Sequence, residues 1–171
     1  MNRPMLLSIA GLSVVAVVVT KVLPPRPVLL WNLTGSAPVG LYRLRQDAPI
    51  QRGDWVAVAP PGALVPMLAA RRYLPAGVPL VKRVAAVAPS RVCRDGSRIL
   101  LDGRARALAR PKDRMGRALP IWRGCHTLDP GEVFLLNAAR DSLDGRYFGP
   151  TSRRDLLGRL TPLWLVAEAA P

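Results

Sequence analysis

A lysine inside an apolar segment is the residue of this chain best placed to do chemistry. The sequence has 25 Lys and Arg residues, only three of them lysines, and Lys82 lies within the apolar run at 79–87. Read as a strand, the run places Leu80, Lys82 and Val84 on one face and Arg83 on the other. Burial lowers the pKa of a lysine, and a neutral amine is a general base, whereas a guanidinium keeps its proton. The pattern therefore predicts that Lys82 accepts a proton from a hydroxyl.

Ser36 is the candidate for that hydroxyl. It lies between Gly35 and Pro38, where we expect the backbone to turn and expose the side chain. A triad with histidine is disfavoured, because the sole histidine, His126, lies beside Cys125 in a turn-like region. The aspartic-protease tripeptides and a P-loop are absent from the sequence. A serine activated by a lysine remains as the chemistry, although composition alone fits an ordinary turn serine.

The composition predicts a mostly β domain. A length of 171 residues suits one domain with a short extra segment, and 18 Pro and 14 Gly favour short strands and turns. We expect a short helix over residues 63–74 and a hairpin over residues 90–101, where Asp95-Gly96 is a turn signal. Further strands are expected over residues 39–44, 55–59, 132–137 and 160–166. Residues 104–123 carry many cations with little periodicity, which indicates an exposed basic insertion.

The N-terminal segment, residues 1–23, is expected to be a membrane anchor. Residues 5–19 carry no charge, and the apolar run ends without an Ala-x-Ala-like site. This favours an uncleaved anchor, with a cleaved signal sequence as the alternative. Arg3 indicates a cytoplasmic N-terminus, so the rest of the chain would be exported. Residues 24–30 are expected to be a proline-rich linker, and residues 31–171 the folded domain.

Cysteine content and charge limit the other chemistry. Cys93 and Cys125 are the two cysteines, and an exported domain favours a disulfide between them, with two buried thiols as the alternative. Their spacing and one histidine match no zinc motif, so we expect no metal and no cofactor. The net charge of +14 has two interpretations. It favours anionic lipid as a partner, or it reflects a general enrichment in arginine that carries no binding function. We expect no nucleic-acid partner, because aromatic residues are 5% and no basic recognition helix is evident.

Four segments, in order along the chain, resemble the motifs of the type I signal peptidases, particularly the TraF-type conjugative-transfer branch. Residues 34–42 (TGSAPVGLY) resemble the nucleophile motif, residues 53–56 (GDWV) a strand of that family, and residues 81–84 (VKRV) its general-base motif. Asn137, followed by residues 142–150 (SLDGRYFGP), resembles the last motif. Two positions depart from the pattern: Ala37 stands where the family often has Met, and Gly145 where it usually has Ser.

The resemblance implies a coiled antiparallel β-sheet domain with an N-terminal transmembrane helix, and a role for each matched residue. Ser36 would attack the scissile carbonyl and Lys82 would take its proton. The Ser36 backbone N–H and the Thr34 hydroxyl would form the oxyanion hole. Three further residues would support the dyad: Ser142 by binding the Lys82 amine, and Asp144 and Arg146 by pairing to fix that loop.

The resemblance also implies a function. It indicates a serine endopeptidase held by a single-pass anchor in the cytoplasmic membrane, with its catalytic domain on the periplasmic side. Its substrate would be an exported precursor protein, such as a pilin or another component of conjugative transfer or type IV secretion. A general-purpose signal peptidase I and a non-enzymatic basic envelope scaffold are the alternatives. The sequence does not choose between hydrolysis and joining of the new ends into a ring.

Overall fold

Two antiparallel β-sheets form most of the fold in a computed structural model, which describes residues 3–22, 28–75 and 77–167. The predicted linker thus lies outside the described residues over 24–27, as do residues 1, 2 and 23 of the predicted anchor. The helices are α1 (Arg3–Val22), α2 (Val65–Ala70) and α3 (Gly145–Phe148). The strands are β1 (Leu29–Asn32), β2 (Val39–Arg45), β3 (Trp55–Val58), β4 (Leu80–Val87), β5 (Arg91–Asp95), β6 (Arg98–Leu101), β7 (Arg104–Leu108), β8 (Gly124–Thr127), β9 (Glu132–Leu135), β10 (Thr151–Ser152) and β11 (Leu156–Ala167).

The N-terminal apolar segment forms α1, a helix of 20 residues. Its sequence has one proline, Pro4, at the second helical position, where a missing N–H costs no hydrogen bond. Within the described ranges, none of the helices combines the length and apolar character that crossing a bilayer requires.

The larger sheet has seven strands in the order β1-β2-β11-β3-β4-β9-β10, and the smaller sheet has four in the order β7-β6-β5-β8. The strand pairs are antiparallel throughout the described residues. The longest strand, β11, pairs with both β2 and β3 and has three irregular steps in its register. Such bulges bend and twist a strand. The two antiparallel sheets confirm the predicted mostly β, antiparallel class.

The strand that carries the lysine, β4, lies inside the larger sheet between β3 and β9. Val81 packs in a cluster with residues of β2, β3 and β11, whereas Val84 packs in a second cluster with residues of β3 and β9. Lys82 is buried and Arg83 is exposed, as the alternation predicts. Because both neighbours of β4 are paired to it, its backbone is fixed on either side of the lysine.

The segment 104–123 is more ordered than the sequence indicates. It begins as β7, which pairs with β6 through a tight turn in which Asp102 and Gly103 both have positive φ. The rest of the segment packs Ala109 and Leu119 against Tyr147. The residues of β7 are mostly exposed on both faces, so its sequence shows no alternation that would predict a strand. The predicted helix at 63–74 is shorter, and α2 stops before Arg72, which has a φ of 55°.

Candidate active site

Ser36 lies in the turn that joins β1 to β2, and Asn32 holds that turn. The Asn32 side-chain amide donates to the backbone oxygens of Thr34 at 3.0 Å, Ala37 at 3.2 Å and Pro38 at 3.0 Å. Its oxygen accepts from the Thr34 backbone N–H at 3.1 Å and from the Thr34 hydroxyl at 2.7 Å. One buried side chain therefore fixes the backbone on both sides of Ser36.

Thr34 lines the cavity beside Ser36, but its hydroxyl proton is directed at Asn32. A hydroxyl has one proton to donate. The predicted part of Thr34 in the oxyanion hole therefore requires this hydroxyl to rotate towards a bound substrate. Ala37, where the family often has Met, is fully buried in the cluster with Tyr42 and faces the core.

Lys82 is 2% exposed, and its Nζ donates to the Ser142 hydroxyl at 2.9 Å. Burial lowers the pKa of Lys82 to about 8; the nearby Asp144 charge opposes this shift and the Arg146 charge adds to it. A pKa near 8 leaves a substantial fraction of the amine neutral at neutral to mildly alkaline pH, which is what a general base requires.

Asp144 and Arg146 form a buried ion pair at 2.7 Å beneath the lysine. The Asp144 carboxylate also accepts from the backbone N–H of Asn137 at 3.0 Å and of Arg146 at 3.1 Å. Burial raises the pKa of the Asp144 carboxyl, and the Arg146 and Lys82 charges oppose that shift. Asp144 thus bonds to Arg146 and to backbone groups, while the Lys82 amine bonds to Ser142.

Asn137 joins these two parts of the site, a role that the sequence analysis did not assign. Its side-chain amide donates to the backbone oxygens of Ser36 at 2.7 Å and Val81 at 3.2 Å. Its side-chain oxygen accepts from the Arg83 N–H at 2.9 Å. Asn137 is 1% exposed, so it links the serine turn to the backbone immediately before and after Lys82. The available signal was a polar residue two positions after the buried strand β9 and at the start of the last motif.

The Ser36 and Lys82 side chains line a single cavity of about 720 Å³, together with Ser142. The volume lies within the range of about 300–1,000 Å³ that is common for ligand sites. Apolar side chains, including Leu30, Leu80 and Leu143, supply much of the remaining lining. Among the described residues no hydrogen bond joins the Ser36 hydroxyl to the Lys82 amine. In catalytic sites without substrate such contacts are often loose and shorten on binding.

The second sheet carries the predicted disulfide, which joins Cys93 of β5 to Cys125 of β8. Of the groups that could bind a metal, the described part of the chain brings together His126, Asp129 and Glu132 on the surface. The Glu132 carboxylate already contacts His126 at 2.6 Å and the Asp129 N–H at 3.0 Å. None of these five residues lines the cavity.

Comparison with known proteins identifies relatives across most of the chain. The family described as signal peptidase, peptidase S26, matches residues 2–165. The chain is 36% identical over 129 residues to the conjugal transfer protein TraF of Agrobacterium fabrum, covering 70% of this chain and 72% of that protein. It is 38% identical over 130 residues to the probable conjugal transfer protein TraF of Sinorhizobium fredii, covering 70% of this chain and 68% of that protein.

Among solved structures, a signal peptidase I from Enterococcus faecalis is similar at 18% identity and a TM-score of 0.38. The similarity covers 67% of this chain and 98% of that chain. A TM-score of this size is too low to establish a common fold, so the sequence matches carry the assignment.

Proposed function

The chain belongs to the signal peptidase family, peptidase S26, in its TraF-type branch, and we propose that it is a serine endopeptidase with Ser36 as nucleophile and Lys82 as general base. The observation that carries the proposal is the buried Lys82 amine, bound to Ser142 within the cavity that also holds Ser36. Desolvation keeps this amine partly neutral near pH 8.

The proposed reaction begins when the Ser36 oxygen attacks the scissile carbonyl carbon and its proton passes to the Lys82 amine. The negative oxygen that forms is stabilised by the Ser36 N–H and by the Thr34 hydroxyl once it turns away from Asn32. When the C–N bond breaks, the Lys82 ammonium protonates the leaving amine, and an ester on Ser36 remains. Water, or an amine at the other end of the substrate, then attacks the ester and restores the serine; attack by that amine makes a ring.

We propose an exported precursor of conjugative transfer, such as a pilin, as the substrate. The support is the name conjugal transfer protein, carried by relatives at 36% and 38% identity. Residues 1–23 are proposed to anchor the protein in the cytoplasmic membrane, with the domain on the periplasmic side. Exposed apolar side chains on β1 and β11, including Trp31 and Trp164, support contact with lipid.

Two other functions make different predictions. A general-purpose signal peptidase would be needed for bulk secretion, so a deletion strain would secrete poorly; loss of one pilus with normal secretion supports the specialised role. A non-enzymatic scaffold would keep its function without Ser36 and Lys82. The mass of the product distinguishes hydrolysis from ring closure, because a ring has the mass of its linear form less one water.

The dyad is tested by incubating the purified full-length protein with candidate pilin precursors and measuring cleavage. We expect Ser36→Ala, Lys82→Ala and Lys82→Arg to abolish cleavage, because a guanidinium stays protonated. Ser97→Ala, at an exposed turn, is the matched control and should cleave normally. The rate should rise with pH through about 8, since the amine must lose its proton to act as a base. Substantial activity of Lys82→Arg would rule out a neutral-amine base.

A further inference from the structure

One wall of the cavity is a basic segment, residues 109–119, which we call the rim loop. Five cations line the cavity against two carboxylates. The cations are Lys82 and, from the rim loop, Arg110, Lys112, Arg114 and Arg117; the carboxylates are Asp113 and Asp141. The positive excess lies within the space that a bound substrate segment would fill.

The base of the rim loop is fixed to the rest of the domain. Ala109 and Leu119, at its two ends, are buried against Tyr147, with Leu143 packed beside them. The Tyr147 hydroxyl accepts a hydrogen bond from the Arg110 backbone N–H at 3.1 Å. The first cation of the loop is therefore held where its side chain faces the cavity.

The tip of the rim loop is fixed through Asp113. This carboxylate accepts from the Tyr73 hydroxyl and from Arg117 Nε at 2.7 Å. The Arg117 guanidinium lies 5.3 Å from the centre of the Tyr73 ring. Arg71 donates to the backbone oxygen of Ala118 at 2.8 Å. These contacts tie the loop to the segment after α2, so its backbone is held beside the cavity without a substrate.

The two carboxylates of the cavity are already paired with arginines of the rim loop. Asp113 is bonded within the rim loop, and Asp141 pairs with Arg114. Across the described residues, neither Arg110 nor Lys112 has a carboxylate partner. Both side chains are exposed and line the cavity. They remain available to bind an anion brought by the substrate.

We propose that Arg110 and Lys112 form a subsite for substrate carboxylates, so that the enzyme prefers precursor segments with Asp or Glu close to the cleaved bond. This inference rests on the proposed peptidase function. Because both cations are exposed, each ion pair is screened by solvent and salt, and a gain of about two- to fivefold in kcat/KM per pair is expected. The subsite would select substrates by charge, and the apolar lining would accommodate the residues at the cleaved bond.

The test uses the full-length protein and three fluorogenic peptides with a central Ala-Ala bond. One peptide is neutral, one carries two Glu on the N-terminal side of the bond, and one carries two Glu on the C-terminal side; Gln replaces Glu elsewhere. We measure kcat/KM at low and high salt, and binding of the same peptides to Ser36→Ala protein. The charge-reversed variant is Arg110→Glu with Lys112→Glu. Arg104→Glu with Arg106→Glu makes the same change in net charge at exposed positions of β7 that do not line the cavity.

We expect one acidic peptide to be cleaved and bound about four- to twentyfold better than the neutral one at low salt, with the preference falling at high salt. The variant at 110 and 112 should lose this preference and still cleave the neutral peptide, whereas the β7 variant should keep it. Equal cleavage of all three peptides would overturn the subsite and leave the peptidase proposal intact. If no peptide is cleaved, binding of the three peptides to the Ser36→Ala protein tests the subsite instead. Equal binding of all three would overturn it.

Anionic lipid is the other partner that could use these cations. Vesicles of phosphatidylglycerol test it by cosedimentation with the same two double variants. Loss of vesicle binding in the variant at 110 and 112, together with an unchanged preference among the peptides, would assign the rim loop to the membrane and overturn the proposal.

Discussion

Lys82 is kept in an environment that disfavours its charge, and this lowers the stability of the fold. Its pKa falls from 10.5 to about 8 on folding. The unfolded chain therefore binds more protons than the folded one between these values, and stability rises with pH across that window. Below about pH 8 the amine is protonated in the folded state as well. Its burial then lowers the free energy of unfolding by about 3 kcal/mol, at about 1.4 kcal/mol per pKa unit.

Lys82→Met is expected to be more stable than the wild type at pH 7, by about 1–3 kcal/mol in the free energy of unfolding. The apolar side chain removes the cost of burying an ammonium, offset in part by the lost bond to Ser142. The gain should shrink between pH 8 and 10, as the wild-type amine becomes neutral in the folded state. Urea unfolding at pH 7 and 10 measures it; a variant less stable than wild type at pH 7 would contradict the assigned cost.

Asn137→Asp tests whether this side chain sets the environment of the proposed base. The change removes the N–H donors to the Ser36 and Val81 oxygens and adds a negative charge near Lys82. Such a charge raises the pKa of an ammonium, so we expect a lower kcat and a pH–rate profile shifted to higher pH. Asn137→Ala should lower kcat without that shift. Identical pH profiles for the two variants would indicate a structural role only.

At the scale of elements, α3 depends on a glycine at its first position. A Cβ on Gly145 would lie 2.7 Å from the Leu135 backbone oxygen and 2.8 Å from the Phe134 ring. Trp122 closes the same corner by donating to the Gly145 oxygen at 2.9 Å. A serine here, as the family pattern has, would require the β9 backbone or the Phe134 ring to move.

Gly145→Ala should lower the free energy of unfolding by about 1–3 kcal/mol, because the strand or the Phe134 ring must move. Activity should fall as well, since α3 and its cap carry Asp144 and Arg146 beneath the lysine. Gly131→Ala is the matched control, with no atom within 4 Å of its added Cβ. Equal stabilities of the two variants in urea would show that the corner has room.

At the scale of the whole molecule, exposed apolar side chains gather around β1 and β11: Trp31, Leu33, Trp164 and Leu165. Trp31 and Leu33 line the same cavity as the basic rim loop, whereas Trp164 and Leu165 of β11 do not line it. The Trp31 and Trp164 rings meet edge to face, with centroids 5.5 Å apart. Aromatic side chains with this exposure favour a membrane interface.

If this apolar surface enters lipid, brominated phospholipid vesicles should quench the tryptophan emission of the full-length protein. Trp31→Phe with Trp164→Phe should abolish most of the quenching, since the remaining Trp55 and Trp122 are half-buried within the fold. The reciprocal variant, Trp55→Phe with Trp122→Phe, should keep it. Equal quenching of both double variants would place the contact elsewhere.

Local patterns in the sequence were enough to predict much of this protein. Alternation in β4 predicted a buried Lys82 beside an exposed Arg83, and a turn signal predicted the hairpin of β5 and β6. The cysteine pair and the ordered motifs predicted the disulfide and the family. These features depend on near neighbours, on residue type or on motif order, all of which can be read along one chain.

The tertiary structure alone decided how these parts meet. Asn137 lies 101 residues from Ser36, whose backbone oxygen comes from the turn between β1 and β2. Its other partners, the backbone groups of Val81 and Arg83, are brought to it by the pairing of β4 with β9. The rim loop reaches the cavity because Asp113 bonds to Tyr73, 40 residues away. Backbone donors and acceptors are the same at every position, so the sequence does not mark which of them a buried amide will reach; the fold does.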